Sequence, residues 1–342
     1  MSDSLSGLLD SGLIGIASGD ALGVTSEFVP QSRIPQIYRR FGPSGWPFAH
    51  VGGGWLDLPP GGHSDDTEMA LCIYRSMLAL GRFDPEDVAA RFVSWMKTGP
   101  RDIGCTILGA LARIASGRSW IDAGKIGFFE TGESLSNGSL MRNGIMGFIP
   151  TDLHSAFAVT AKQCIITHYS PLPVLCCCAQ TYIIRLLLDG IEFPRRWQEG
   201  FRGEWRAWIT AERDPIILDW VTTVGDGLGA AWREFMDADF DPDSFDPFRE
   251  RYEGRSGYCL LTLQIAVWAL HRAVMKETPG HPADYPAEVF ERRGPWTLGW
   301  VAMLGYDADS YGATAGPMLS ARFGGLPDEL TGSLMVHDWM QR

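Results

Sequence analysis

Apolar residues recur at helical spacing over most of this chain. Residues 5–22 read as one helix ending at Gly23, and residues 67–80 as another, stopped by Gly81. Asp84-Pro85-Glu86-Asp87 has the form of an N-cap with proline at the first helical position, opening a helix to Thr98. Further helices are expected over 103–115, 155–168, 172–189, 256–275 and 295–304. Alternating strand pattern is scarce, and glycine turns such as Gly52-Gly53-Gly54 and Gly61-Gly62 separate the elements. The pattern predicts an all-α fold, a compact helical bundle with functional loops at one end.

No linker, low-complexity tract or internal repeat divides the 342 residues, so one domain over 1–342 is expected. Residues 190–255 differ in character, being rich in Trp, Arg, Asp and Glu. Their run Asp237-Ala238-Asp239-Phe240-Asp241-Pro242-Asp243 is not an EF-hand loop, because its sixth and twelfth positions hold Pro242 and Phe248 instead of Gly and Glu. A solvated loop is expected there.

Two short acidic clusters change the picture. Ser64-Asp65-Asp66-Thr67 and Asp307-Ala308-Asp309-Ser310 each place two carboxylates and a hydroxyl within four residues, bordered by apolar sequence. Acids and serine in a first helical turn also cap free N–H groups and complement the helix dipole, which would account for either cluster alone. Two clusters in apolar settings ask for more, because charges are rarely buried unpaired. Oxygen-only ligands suit hard divalent cations, Mg²⁺ or Mn²⁺, rather than zinc. Brought together, the clusters make a candidate two-metal site.

The net charge of −12 argues against a nucleic-acid groove, though not against a phosphate-bearing ligand, whose charge metals or helix N-termini can meet. No secretory signal or membrane span is read in the sequence. Seven cysteines without CxxC or Cys/His spacing suggest free thiols in a reducing cytoplasm. Further polar groups stand in apolar or glycine-rich settings: Gly19-Asp20-Ala21-Leu22-Gly23 with Glu27, Gly99 to Gly104 with Asp102, Ser136-Asn137-Gly138-Ser139-Leu140-Met141-Arg142, and Thr167-His168. The Ser/Asn/Gly loop has backbone N–H groups suited to a phosphate, although such a loop alone is weak evidence. His168, ending a predicted helix, is equally well explained as a partner of the helix dipole.

In this order, and with Ser256-Gly257-Tyr258, Thr262-Leu263 and Gly305 to Gly312, these motifs resemble the ADP-ribosylglycohydrolase family over about residues 10–325. The resemblance implies an all-α orthogonal bundle, a binuclear Mg²⁺ or Mn²⁺ centre and an ADP-ribosylated substrate. It makes Ser64, Asp65 and Asp66 ligands of one metal, and Asp307, Asp309 and Ser310 ligands of the other, with one carboxylate bridging. It makes Glu27 and Asp102 the candidate acid/base residues, and Gly104, Asn137, Gly138, Ser139 and Met141 the holders of diphosphate and ribose. His168 would lie along the ligand, and Tyr258 would stack on the adenine or its ribose. Two departures from the family pattern stand out: Ser replaces Thr at 64 and 310, and Tyr306 occupies a place usually held by a small residue.

The reaction so implied is removal of ADP-ribose from protein side chains, arginine first, by metal-activated water. Alternatives are another acceptor (serine, a nucleotide, a small guanidine compound), a non-catalytic ADP-ribose binder, and an immunity protein that meets an ADP-ribosylating toxin through residues 190–255.

Overall fold

The computed structural model describes residues 2–42, 45–132, 134–249, 254–275, 285 and 287–340. Positions 250–253 of the Trp-rich segment thus lie outside the described residues. In chain order the α-helices are α1 (Ser2–Gly23), α2 (Ile34–Phe41), α3 (Asp65–Leu80), α4 (Pro85–Met96), α5 (Cys105–Ala115), α6 (Trp120–Thr131), α7 (Leu153–Ile165) and α8 (Pro171–Leu188). They continue as α9 (Trp197–Ala211), α10 (Pro215–Val224), α11 (Asp226–Asp237), α12 (Cys259–Val274), α13 (Ala287–Glu291), α14 (Thr297–Ala302), α15 (Ala308–Phe323) and α16 (Val336–Met340). Among the described residues there is no strand beyond two isolated bridges, Gly53 with Leu58 and Ser136 with Tyr258. The all-α expectation holds.

Local chemistry sets the helix ends. Asp84 caps α4 by accepting from the N–H groups of Glu86 and Asp87, and Gly81 ends α3 in the left-handed region at φ 67°. Asp152 caps α7 through Ser155 N–H, so this helix runs earlier than expected and stops at Ile165, leaving His168 beyond it. The element expected over 295–304 is instead a 3₁₀ turn, Gly294–Trp296, followed by α14. The one expected over 256–275 begins only at Cys259, because the residue before it pairs with Ser136.

The frame of the molecule is the pairing of α1 with α15. Around it stand α3, α8, α12 and α14, with a 3₁₀ turn at Asn143–Phe148 wedged between α1 and α8. α1 carries five glycines and would be a poor helix alone. Its helicity is supported by burial of Leu9, Leu13, Ile16, Ala17 and Leu22. Gly19 faces Gly312, and Gly15 faces Gly316, so closely that a Cβ at Gly19 would lie 1.9 Å from the Gly312 carbonyl oxygen. The two backbones therefore touch.

α8 is long and apolar enough to cross a membrane, yet 83% of it is buried by the rest of the chain. It is a core helix, and the three consecutive cysteines it carries are buried free thiols whose burial pushes their pKa well up. The Trp-rich segment also folds inward. Trp197, Trp205, Trp208 and Trp220 are buried in an aromatic cluster with Phe157, Phe201 and Phe235. In its Asp239–Asp243 run the three acids are exposed while Phe240 and Pro242 are buried, and the loop is held by Asp239 accepting from Asp241 N–H and Ser244 Oγ, and by Arg195 paired with Asp243 at 2.6 Å.

Candidate metal centre and cavity

The two acidic clusters occupy the starts of α3 and α15, which the α1–α15 pairing brings side by side. Ser64 is the N-cap of α3, its Oγ accepting from Asp66 N–H at 3.4 Å. Asp20, inside α1, accepts from the N–H groups of Ser64 at 3.0 Å and Thr67 at 3.1 Å, and from Thr67 Oγ1 at 2.6 Å. It thereby fastens the first turn of α3 to α1. Across the gap, Ser310 donates to Asp66 Oδ1 at 3.2 Å, and Asn137 Nδ2 donates to Asp307 Oδ2 at 2.6 Å.

Carboxylate oxygens of Asp20, Asp66 and Asp309 lie within 4.8 Å of one another, as do those of Glu27, Asp102 and Asp309. Asp309 belongs to both groups. Asp66 Oδ2 and Asp309 Oδ1 are buried and have no hydrogen-bond partner among the described residues. Buried, unpartnered carboxylate oxygens facing one another fit a cation between them. The donor set is all oxygen, which suits Mg²⁺ or Mn²⁺.

The electrostatics without a cation are unfavourable. Burial raises the pKa values of Asp65, Asp66 and Asp309 well above the carboxylate range, and neighbouring carboxylates raise them further. Asp20 and Asp307 rise to about 6 and Glu27 to about 9, burial again the largest cause. Each group thus holds its proton more tightly in the folded than in the unfolded chain. The stability tied to them is complete below their ordinary values of 3.8 to 4.5 and is lost as pH climbs through about 6 and then about 9. In EDTA the melting temperature should therefore fall from pH 5 to pH 9. Mn²⁺ favours the ionised carboxylates and should flatten that fall. A metal-free melting temperature that rises across this range would contradict the arrangement.

A cavity of about 320 Å³ opens above the acids. Of the residues named from sequence, Glu27, Asp65, Asp102, Gly104, Asn137, Gly138, Met141, Asp307, Asp309 and Ser310 line it. Ser64, Asp66, Ser139, His168 and Tyr258 are not in its lining. Ser139 is fully buried and accepts from the Cys164 thiol at 3.2 Å. His168 is buried behind the loop, its Nε2 2.8 Å from Ser136 Oγ and its Nδ1 2.8 Å from Thr167 Oγ1. Burial pushes its pKa down to about 3, so it is neutral and is not a charge partner of the α7 dipole. A Cβ at Gly138 would lie 2.9 Å from Ile107 Cδ1 and 3.1 Å from that ring, so the loop packs tightly against both. Tyr258 is half-buried, its hydroxyl hydrogen-bonded to Glu234.

Sequence reasoning gave three contributors no role: Asp20 and Arg142 were named only as members of their motifs, and Trp55 not at all. Asp20 was visible only as an acid inside an apolar, glycine-flanked helix. Arg142, fully buried, holds the loop from beneath by donating to Gly138 O at 2.9 Å, Thr167 Oγ1 at 2.8 Å and Gln163 Oε1 at 3.1 Å. Trp55 donates its indole N–H to Glu27 Oε2 at 2.6 Å. Tyr306 has φ 55°; its N–H donates to Val29 O at 2.9 Å and its carbonyl accepts from Phe28 N–H at 2.5 Å, stitching the α15 approach to the turn after α1.

Comparison with known proteins agrees with this geometry. A family model described as ADP-ribosylglycohydrolase matches residues 8–342. Over 182 residues the chain is 33% identical to the ADP-ribosyl-[dinitrogen reductase] glycohydrolase of Rhodospirillum rubrum, an alignment covering 52% of this chain and 56% of that protein. The match thus spans little more than half the length of that relative. The ADP-ribosylarginine hydrolase Tri1 of Serratia proteamaculans is 27% identical over 322 residues, 91% of this chain and 70% of that protein. Its namesake from Pseudomonas putida is 27% identical over 331 residues, covering 93% and 71%. A solved ADP-ribosylglycohydrolase-related protein complex shares the fold, with a TM-score of 0.63 and 23% identity over 99% of this chain and 96% of that one. By the match along its length and by its helical frame, the chain belongs to the ADP-ribosylglycohydrolase family.

Proposed function

We propose that the chain, folded as one domain, hydrolyses the N-glycosidic bond joining ADP-ribose to a modified arginine side chain. The observation that carries this reading is that two carboxylate groups share Asp309, which with Glu27 and Asp102 lines a cavity walled by the Ser136–Met141 loop. The two ADP-ribosylarginine hydrolases, aligned over nine-tenths of the chain, support the choice of acceptor.

In this reading Asp20, Asp66 and Asp309 would hold one cation, and Asp309 with Asp307 a second, with Ser64, Asp65 and Ser310 completing or orienting the two sets, while Glu27 and Asp102 stay free beside Asp309. Two divalent cations held there would polarise the ribose oxygens and lower the pKa of a bound water. Gly104, Asn137, Gly138 and Met141 hold the ribose and diphosphate against the wall they line. Water oxygen bonds to the anomeric carbon, the carbon–nitrogen bond breaks, and the departing guanidine nitrogen takes a proton. Glu27 and Asp102 face this point and carry the protons. Ser139 and His168 act from behind, by fixing the loop.

The test is release of free ADP-ribose from a peptide mono-ADP-ribosylated on arginine, with Mg²⁺ or Mn²⁺ and with EDTA, beside a serine-linked peptide. Metal-dependent release from the arginine peptide is expected. Release from the serine peptide alone would replace the acceptor, and none from either by folded, metal-loaded protein would remove the catalytic reading.

A further inference from the structure

Two aromatic rings stand exposed where the cavity opens, and nothing in the proposed chemistry uses them. Phe28 lines the cavity and is 61% exposed, and Trp55 is 48% exposed. Their ring centroids are 5.4 Å apart. Exposed apolar rings side by side at a cavity mouth call for an occupant.

The placement of these rings is enforced. Phe28 has φ 57°, an uncommon conformation for a side chain of its size, held by the N–H bond to Tyr306. The loop bearing Trp55 is closed by reciprocal backbone bonds between Gly53 and Leu58, at 2.7 and 3.0 Å. It is fastened by Thr25 Oγ1 donating to Gly52 O at 3.1 Å and Arg101 donating to Leu56 O at 2.5 Å. Gly54, at φ 68°, lies so near that a Cβ would be 1.9 Å from Val24 O. The indole N–H then fixes Glu27 beside the rings.

The chemistry of this corner selects its ligand. Aromatic faces attract flat cations, guanidinium above all. Glu27, the residue before Phe28 and held by Trp55, is one of the two acids that meet the departing guanidine nitrogen in the proposed mechanism, so the rings stand on the acceptor side of the cavity. A hydroxyl acceptor has no flat cation to offer them. We infer that Phe28 and Trp55 seat the guanidinium of the arginine acceptor, and that this corner distinguishes arginine-linked from hydroxyl-linked ADP-ribose. The inference rests on the hydrolase reading and adds to it the residues that select the acceptor.

Phe28→Leu keeps apolar bulk and removes the π face, while Phe28→Tyr keeps the face. Phe28→Leu should raise KM for the arginine-linked peptide about tenfold with little change in kcat. Inhibition by product ADP-ribose should be unchanged, and Phe28→Tyr should restore KM. A second readout is independent of turnover: calorimetric binding of agmatine, a small guanidinium, to Mg²⁺-loaded protein saturated with ADP-ribose. Phe28→Leu should weaken this binding by a similar factor. Unchanged KM and agmatine binding in folded Phe28→Leu protein would overturn the inference, as would a parallel loss of ADP-ribose affinity, which would put the rings on the nucleotide. Phe28-dependent agmatine binding by a wild-type protein that releases no ADP-ribose would keep the seat and remove the hydrolase reading.

Discussion

Asp309→Asn should lower metal-dependent ADP-ribose release by at least about a hundredfold while making the metal-free protein melt at a higher temperature. The opposite signs come from one cause. Asp309 contributes an oxygen to both carboxylate groups, and its Oδ1 is buried without a partner. In the proposed reading it is the shared ligand when cations are present. With none it is one more buried carboxylate repelled by Glu27, Asp66 and Asp307. An amide of the same shape removes the repulsion and the shared ligand together. Melting curves of wild type and variant in EDTA and in Mn²⁺, run with the release assay, check both halves. The variant should lose the rise in melting temperature that Mn²⁺ gives the wild type. Wild-type turnover, or an intact Mn²⁺ shift, would show that Asp309 is not the shared ligand.

Gly19→Ala should destabilise the fold by about 3 kcal/mol or more and weaken metal binding as well. The added methyl would meet the Gly312 carbonyl carbon and oxygen at about 2 Å, and these are backbone atoms that no rotamer change can move aside. α1 and α15 must then separate. Asp20, the next residue, lies on α1, and Asp309 lies in the first turn of α15, so the gap between them widens with the helices. Gly7→Ala is the internal control. It lies in the same helix with nothing within 4 Å of the added Cβ, and should stabilise by about 0.5–1 kcal/mol. Thermal melts and Mn²⁺ titrations of both variants decide the matter. Equal stabilities would mean that the close approach of the two helices is not what holds the acids together.

What the sequence revealed and what it hid follow from how local each signal is. α4 was legible to the residue at its start because Asp84 and Pro85 carry the capping chemistry themselves. The end of α3 was legible through Gly81, but its start was placed at residue 67, two residues late, because Asp65 and Asp66 were read as an acidic cluster rather than as its first turn. α15 was not recognised as a helix, because Gly312, Ala313, Ala315, Gly316 and an internal Pro317 are weak helix formers. They are there for the approach of α1, a tertiary demand with no periodic apolar signature. α9 to α11 were obscured by charged residues interleaved with tryptophans, whose burial depends on partners in α7 and α8. In the site, clustered acids betrayed themselves by spacing. Asp20 did not, since its partners Ser64 and Thr67 lie 44 and 47 residues away. His168 was placed on the ligand by motif position, yet its two ring nitrogens face Ser136 and Thr167 inside the protein.

The joining of α1 to α15 also has a bearing on biosynthesis. Ser310 reaches Asp66 across 244 residues of sequence, and Asp309 meets Asp20 across more still. A ribosome making this chain releases α1 and the first acids long before their counterparts exist. Until then the nascent protein carries an uncovered glycine-lined helix and half a cation site, and closing so long a loop is slow. Premature termination anywhere before α15 would leave the other half of that site unmade. The candidate cation site is therefore complete only in chains translated past Ser310, and a cation held there during synthesis would stabilise those chains selectively.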